Sequence, residues 1–181
     1  MGIIAKDEND VPKLLEVDSI SSVQSVIEYE HHEVHEGNFY TVFDRDSSVD
    51  IASPKYWHII TPNTAKRCHI KIKVTADGKA LVELFENPTT SDNGTALVAY
   101  NNDRNSSNTT TILFFKDPTV NPDGTRIDGG IIGAAGHFTR AGGNVRNPGE
   151  WILKQNEQYL VKVTTVSDAT DVDVKIEFYE I

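Results

Sequence analysis

The sequence predicts an all-β fold: an antiparallel β-sandwich of the jelly-roll kind with an extended N-terminal arm. Three observations predict it. From about residue 28 apolar and polar residues alternate with the period of two that half-buried strands show. Turn residues recur at short intervals, as Asn87-Pro88, Asp92-Asn93-Gly94, Asp117-Pro118, Asn121-Pro122-Asp123-Gly124 and Asn147-Pro148-Gly149. No window carries the 3.6-residue period of an amphipathic helix of useful length, and short strands without helices pack as sandwiches.

In chain order, residues 1–27 come first and differ from the rest. Short apolar patches (Leu14, Leu15, Val17, Ile20) alternate with polar spacers and fit neither period. This segment reads as an arm, or a short helix-containing extension, that orders against a partner or the domain body. Residues 28–181 read as one sandwich domain. Its first stretch, EYEHHEVHEG at 28–37, reads as a charged strand entering the sheet. On a strand His31 and His35 share a face but lie roughly 13 Å apart, too far for one ion. The zincin pattern His-Glu-x-x-His is also missed by one residue at His32-Glu33-Val34-His35. No metal is expected there, and His31, His32, Glu33 and His35 are candidates for a subunit or partner contact.

The plainest strand follows at residues 67–74, where Cys68, Ile70, Ile72 and Val74 alternate with Arg67, His69, Lys71 and Lys73. Asp77-Gly78 then predicts a hairpin into a buried strand at 80–85. Residues 158–166 read as a further buried strand. At the C-terminus Val172, Val174, Ile176 and Phe178 alternate with Asp171, Asp173, Lys175 and Glu177. Residues 117–149 are Gly-rich and only weakly strand-like, and read as a long surface excursion.

Chemistry is hard to find. Cys68 is the sole cysteine and sits on an apolar face, so it reads as an inert core thiol without a disulfide partner. No Gly-x-Ser-x-Gly elbow is present, and the Gly130–Gly136 region is neither a Walker loop nor a dinucleotide fingerprint. Neither Asn121-x-Asp123-Gly124 nor Asp44-x-Asp46 supplies the ligands of an EF-hand. Glu83, Glu86 and Glu150 could be nominated as glycosidase carboxylates, but an acidic sandwich offers such pairs anyway. The expectation is a protein that is not an enzyme and has no cofactor. Trp57 and Trp151 read first as core residues or interface anchors and otherwise as the aromatic platform of a glycan site, with Tyr56 and Tyr100 beside them.

The chain of 181 residues carries 17 Lys and Arg against 27 Asp and Glu, a formal charge of −10. That balance disfavours nucleic acid and anionic membranes as partners. Met1 is followed by GIIAKDEND, which lacks both the basic and the apolar region of a secretory signal.

Six blocks, in this order, carry a resemblance: EYEHHEVHEGNFYTV, TPNTAKRCHIKIKV, VELFENPTTSDNGT, YNNDRNSSNTTT, EWILKQNEQYLVKVTT and IEFYEI. Over roughly residues 28–181 the chain resembles tailed-bacteriophage virion proteins encoded near the capsid genes, similar in role to jelly-roll head decoration or cement proteins. The resemblance implies a homotrimer, made in the host cytoplasm, on the outer capsid surface of the virion with the major capsid protein as partner. The alternative is a head-fibre or tail-associated module that recognises host-surface carbohydrate.

Overall fold

The computed structural model describes residues 4–6, 12–14, 29–51, 53–133, 141–143 and 149–181. The chain divides into two units, residues 1–32 and 33–181. In the first, β1 (Ile4–Lys6) and β2 (Pro12–Leu14) pair antiparallel. The remainder of the arm, with Leu15, Val17 and Ile20, lies outside the described residues.

The second unit is all strand after α1 (Tyr29–His35), a helix that begins in the first unit. In order come β3 (Phe39–Val49), β4 (Lys55–Ile60), β5 (Cys68–Ala76), β6 (Ala80–Glu86), β7 (Thr90–Asp92), β8 (Thr95–Leu97) and β9 (Tyr100–Asn101). Then follow β10 (Leu113–Lys116), β11 (Thr119–Val120), β12 (Thr125–Ile132), β13 (Ala141–Gly143), β14 (Trp151–Leu153), β15 (Gln158–Thr165) and β16 (Thr170–Glu180). They form two antiparallel sheets. The first runs β13-β5-β16-β3-β9, with β14 also on β5; the second runs β12-β6-β15-β4-β10-β8. The chain therefore changes sheet from β3 to β4, β4 to β5, β5 to β6, β8 to β9, β9 to β10, β12 to β13, β14 to β15 and β15 to β16.

The alternation in the sequence explains the packing. Cys68, Ile70 and Val74 of β5 and Val172, Val174, Ile176 and Phe178 of β16 point inward to meet Trp57, Ile59, Val82, Leu84, Tyr159, Val161 and Val163 of the second sheet. The two sheets share one core, and the antiparallel sandwich is as expected. Phe178 sits at its centre, its ring 5.4 Å from Tyr40 and 4.9 Å from Phe114. Burying one such ring stabilises by about 1.5–3 kcal/mol. The β7–β11 pair lies over the outside of the second sheet, where Thr90 Oγ1 donates to Gln158 Oε1 at 3.3 Å.

Three expectations are corrected. Residues 29–35 are helix, not strand. Of these seven residues only Val34 is β-branched, and Glu and His are compatible with helix. Gly37 then stops the helix: it takes φ +70° as the C′ residue, its N–H donates to Val34 O at 3.1 Å, and Asn38 N–H donates to Glu33 O at 2.9 Å. That double closure is a Schellman motif. Asp77-Gly78 does not close a hairpin, because β5 pairs with β16, β13 and β14 while β6 pairs with β12 and β15. A turn dictates that the chain reverses, and burial of both apolar faces decides that β6 crosses to the other sheet. The 117–149 stretch also contains a full strand, β12, on the edge of the second sheet.

Candidate functional site

Most polar residues singled out by the sequence are committed to the fold. Trp57 is 2% exposed and its indole N–H donates to Asp44 Oδ2 at 2.9 Å, so it is a core residue and not an interface anchor. Asp44 also accepts from Lys116 Nζ at 3.1 Å, tying β3 to β10 across the open side of the sandwich. Trp151 packs half-buried against the core, beside a cavity of about 20 Å³ lined by Ile72, Val82, Leu84 and Val161. A volume of this size holds about one water and excludes a sugar ring. The Tyr56 ring is engaged by Lys162 Nζ at 5.5 Å.

The carboxylates are similarly paired. Glu83 accepts from Arg126 Nη1 at 2.9 Å, and Glu86 from Lys154 and from Tyr159 OH at 3.3 Å. Glu150 joins His69 and Tyr179: the tyrosine hydroxyl donates to Glu150 Oε1 at 2.7 Å and His69 Nδ1 bonds the same oxygen. The His69 and Tyr179 rings stack at 4.6 Å, and Phe39 stacks on Tyr179 at 6.1 Å. Burial works to raise the Glu150 carboxyl, but the bonds from Tyr179 and His69 outweigh it and hold it below its ordinary value.

On α1, Glu33 is buried and accepts from Asn38 Nδ2 at 3.3 Å, and the His32 ring lies 6.4 Å from Tyr29. His31 and His35 stand one turn apart, with Cβ atoms about 5–6 Å from each other instead of 13 Å. The distance that seemed to separate them is removed by the helix. Among the described residues no three His, Cys, Asp or Glu side chains form a metal-sized group. His137 lies outside them. The helix end is clamped by β9 and the polar loop after it: Asn101 Nδ2 of β9 donates to Gly37 O at 2.7 Å, and Asn108 Nδ2 of the loop donates to Glu36 O and Gly37 O, each at 3.3 Å.

His58 and Cys68 are enclosed. His58 is 0% exposed on the outer side of the second sheet, under the β7–β11 pair, with Nε2 bonded to Gln158 Oε1 at 3.0 Å. Its Nδ1 is buried without a hydrogen-bond partner. Burial lowers the imidazole from its usual value. Cys68 is 4% exposed, and burial pushes its thiol up.

The outer face of the first sheet carries exposed aromatic and charged groups, and its register can be read row by row. One row runs Tyr100–Thr41–Glu177–Lys71 from β9 across β3 and β16 to β5. The next runs Phe43–Lys175–Lys73, and the third Arg45–Asp173–Thr75. Phe43 and Tyr100 are both 55% exposed. Diagonal neighbours of this kind lie about 7–8 Å apart. The Arg104 guanidinium stands over the Tyr100 ring at 5.6 Å, and Thr41 Oγ1 donates to Asn102 Oδ1 at 2.8 Å. Lys73 and Lys175 both bond Glu177. Burial opposes the charge on Glu177, yet the two ammonium groups prevail and hold its carboxyl below the ordinary range.

Sequence reasoning placed Lys71, Lys73, Lys175 and Glu177 on polar strand faces but missed Phe43 and Arg104. Phe43 sits between Val42 and Asp44, and only the inward turn of both neighbours' partners shows that its own ring faces water. Comparison with protein-family models, with curated proteins and with solved structures finds no match.

Proposed function

We propose that the chain is a structural protein of a tailed-phage virion, a jelly roll that homotrimerises and decorates or cements the outer capsid surface against the major capsid protein. The observation that carries the reading is the winding of the strands. β3, β16, β5 and the β13/β14 pair stand in one sheet, and β4, β15, β6 and β12 in the other, with the chain alternating between them. That order suits a jelly roll whose turns project at both ends of the sandwich. The six sequence blocks supply the phage context. A protein that bridges neighbouring capsomers stabilises a shell by linkage, because it binds the assembled lattice and not the free subunits. Three subunits acting together raise the effective concentration of each weak contact.

The test is the copy number of the chain in gradient-purified virions of a phage that encodes it, measured by quantitative mass spectrometry against the major capsid protein. A simple fraction of the capsid copy number supports lattice-wide decoration. A few copies per particle would move the protein to a vertex or the tail and favour the host-carbohydrate alternative. Absence from the particle would overturn both.

A further inference from the structure

We infer that other copies of this chain dock on the outward side of the β8–β10 edge of the second sheet, with Val98 and Leu113 at the centre of the contact. The inference deepens the proposed homotrimer and rests on that reading for the number of copies. It begins with the edge. Among the described residues β8 pairs with β10 alone, so its other side offers unpaired backbone groups. Leu97 and Phe114 turn inward to the core, which sends Ala96, Leu113 and Phe115 outward. One residue beyond the paired register Val98 falls opposite Leu113, and the row continues from Leu113 to Ile60 of β4. Val98 is 63% and Leu113 53% exposed, so the chain itself does not cover them. Farther across the same face it does: His58 and Leu160 are fully buried.

The second argument is charge, and it selects the occupant. Charged residues make up 24% of the chain. Yet residues 93–102, which include β8, and residues 105–115, which lead into β10, contain no Asp, Glu, Lys or Arg. At the average these 21 residues would hold about five. The charges that border them are Asp92, the pair Asp103 and Arg104 between the runs, and Lys116, which reaches Asp44 across the sandwich. Two bodies that each carry −10 repel one another, and they approach closely only where neither surface is charged. A cationic partner would gain from the acidic surface and would have no reason to prefer this strip. An uncharged edge on an acidic body fits a like-charged copy.

The third argument is the missing protection. Edge strands that stay single carry Lys, Pro or a bulge that turns new strands away. β8 reads Thr95-Ala96-Leu97, and its register with β10 runs without a bulge. Apolar side chains that stand together on a surface mark a contact, and charged residues are depleted from the cores of such contacts. Ala96, Val98, Leu113, Phe115 and Ile60 meet both conditions.

The purified full chain is sized by light scattering over a wide range of concentration, beside a Val98→Asp, Leu113→Asp double variant and Ile131→Asp. Ile131 is 64% exposed on β12, the opposite edge of the same sheet, and serves as the control. The parent and Ile131→Asp should assemble and the double variant should stay monomeric. Val98→Thr keeps the β-branched shape and should weaken association about tenfold, the size of a lost apolar contact. It replaces the double variant if thermal melting shows that one to be unfolded. A trimer dispersed by the strip variants supports both the inference and the homotrimer. A dimer dispersed by them supports the strip as the contact and overturns the trimer count alone. An assembled parent that the strip variants leave intact, or that Ile131→Asp disperses equally, overturns the inference and leaves the homotrimer standing. A parent that is monomeric at every concentration overturns both.

Discussion

Gly37→Ala tests the helix end that carries the histidine block into the sandwich. Gly37 has φ +70°, a conformation that costs an alanine about 1–2 kcal/mol. A Cβ there would also lie 2.3 Å from Ser106 Oγ and 2.9 Å from Ser106 Cβ. Ser106 must therefore move, and it gives up the hydrogen bond its Oγ accepts from Asn108 N at 3.1 Å. Losing that bond adds about 1 kcal/mol, so the substitution costs roughly 2–3 kcal/mol. For a chain of this length that corresponds to a fall in Tm of roughly 4–12 °C. The assay is urea and thermal denaturation of Gly37→Ala, Ser106→Gly and the double variant. Because the Asn108 bond can be lost only once, the double variant should be no less stable than Gly37→Ala alone. A Gly37→Ala protein within about 0.5 kcal/mol of the parent, or two substitutions that simply add, would refute the Schellman cap and its clamp on the loop after β9.

Two further outcomes follow from buried groups. His58 is neutral in the fold and its imidazole is lowered from an ordinary value of 6.5, so the unfolded chain binds the extra proton first. Its contribution is complete above that value and is lost as pH falls below it; Gln158, Thr90, Phe115 and Leu160 around it are all neutral. Urea midpoints measured from pH 7.5 to 5 should decline, and His58→Gln should flatten that decline while leaving the separate loss below 4.5, where Glu150 and Glu177 become protonated in the unfolded chain; an unchanged slope in the variant would refute the assignment. Cys68 should resist alkylation by iodoacetamide at pH 8 in the native protein and react at once in denaturant, since burial both covers the thiol and disfavours the thiolate. Rapid native labelling would mean that β5 is not covered as described.

What the sequence determined by itself is the all-β class and which side of the main strands is apolar. Alternation along β5 and β16 is a local property, fixed by the pleat, and it survives into the structure residue for residue. It also determined that Cys68 faces inward. The tertiary structure decided pairing and therefore the site. Asp77-Gly78 looks the same whether β6 folds back on β5 or crosses to the opposite sheet, and only the need to bury both apolar faces separates these outcomes. The helix at 29–35 is too short for its period to stand out, and its signals were the Gly37 stop and the one β-branched residue. Core, interface and platform all stayed open for Trp57 and Trp151, because size and type say nothing about which face a strand will bury. Tyr100, Phe43, Lys175 and Lys73 come from β9, β3, β16 and β5, and their shared face exists only through the register of three strand pairs.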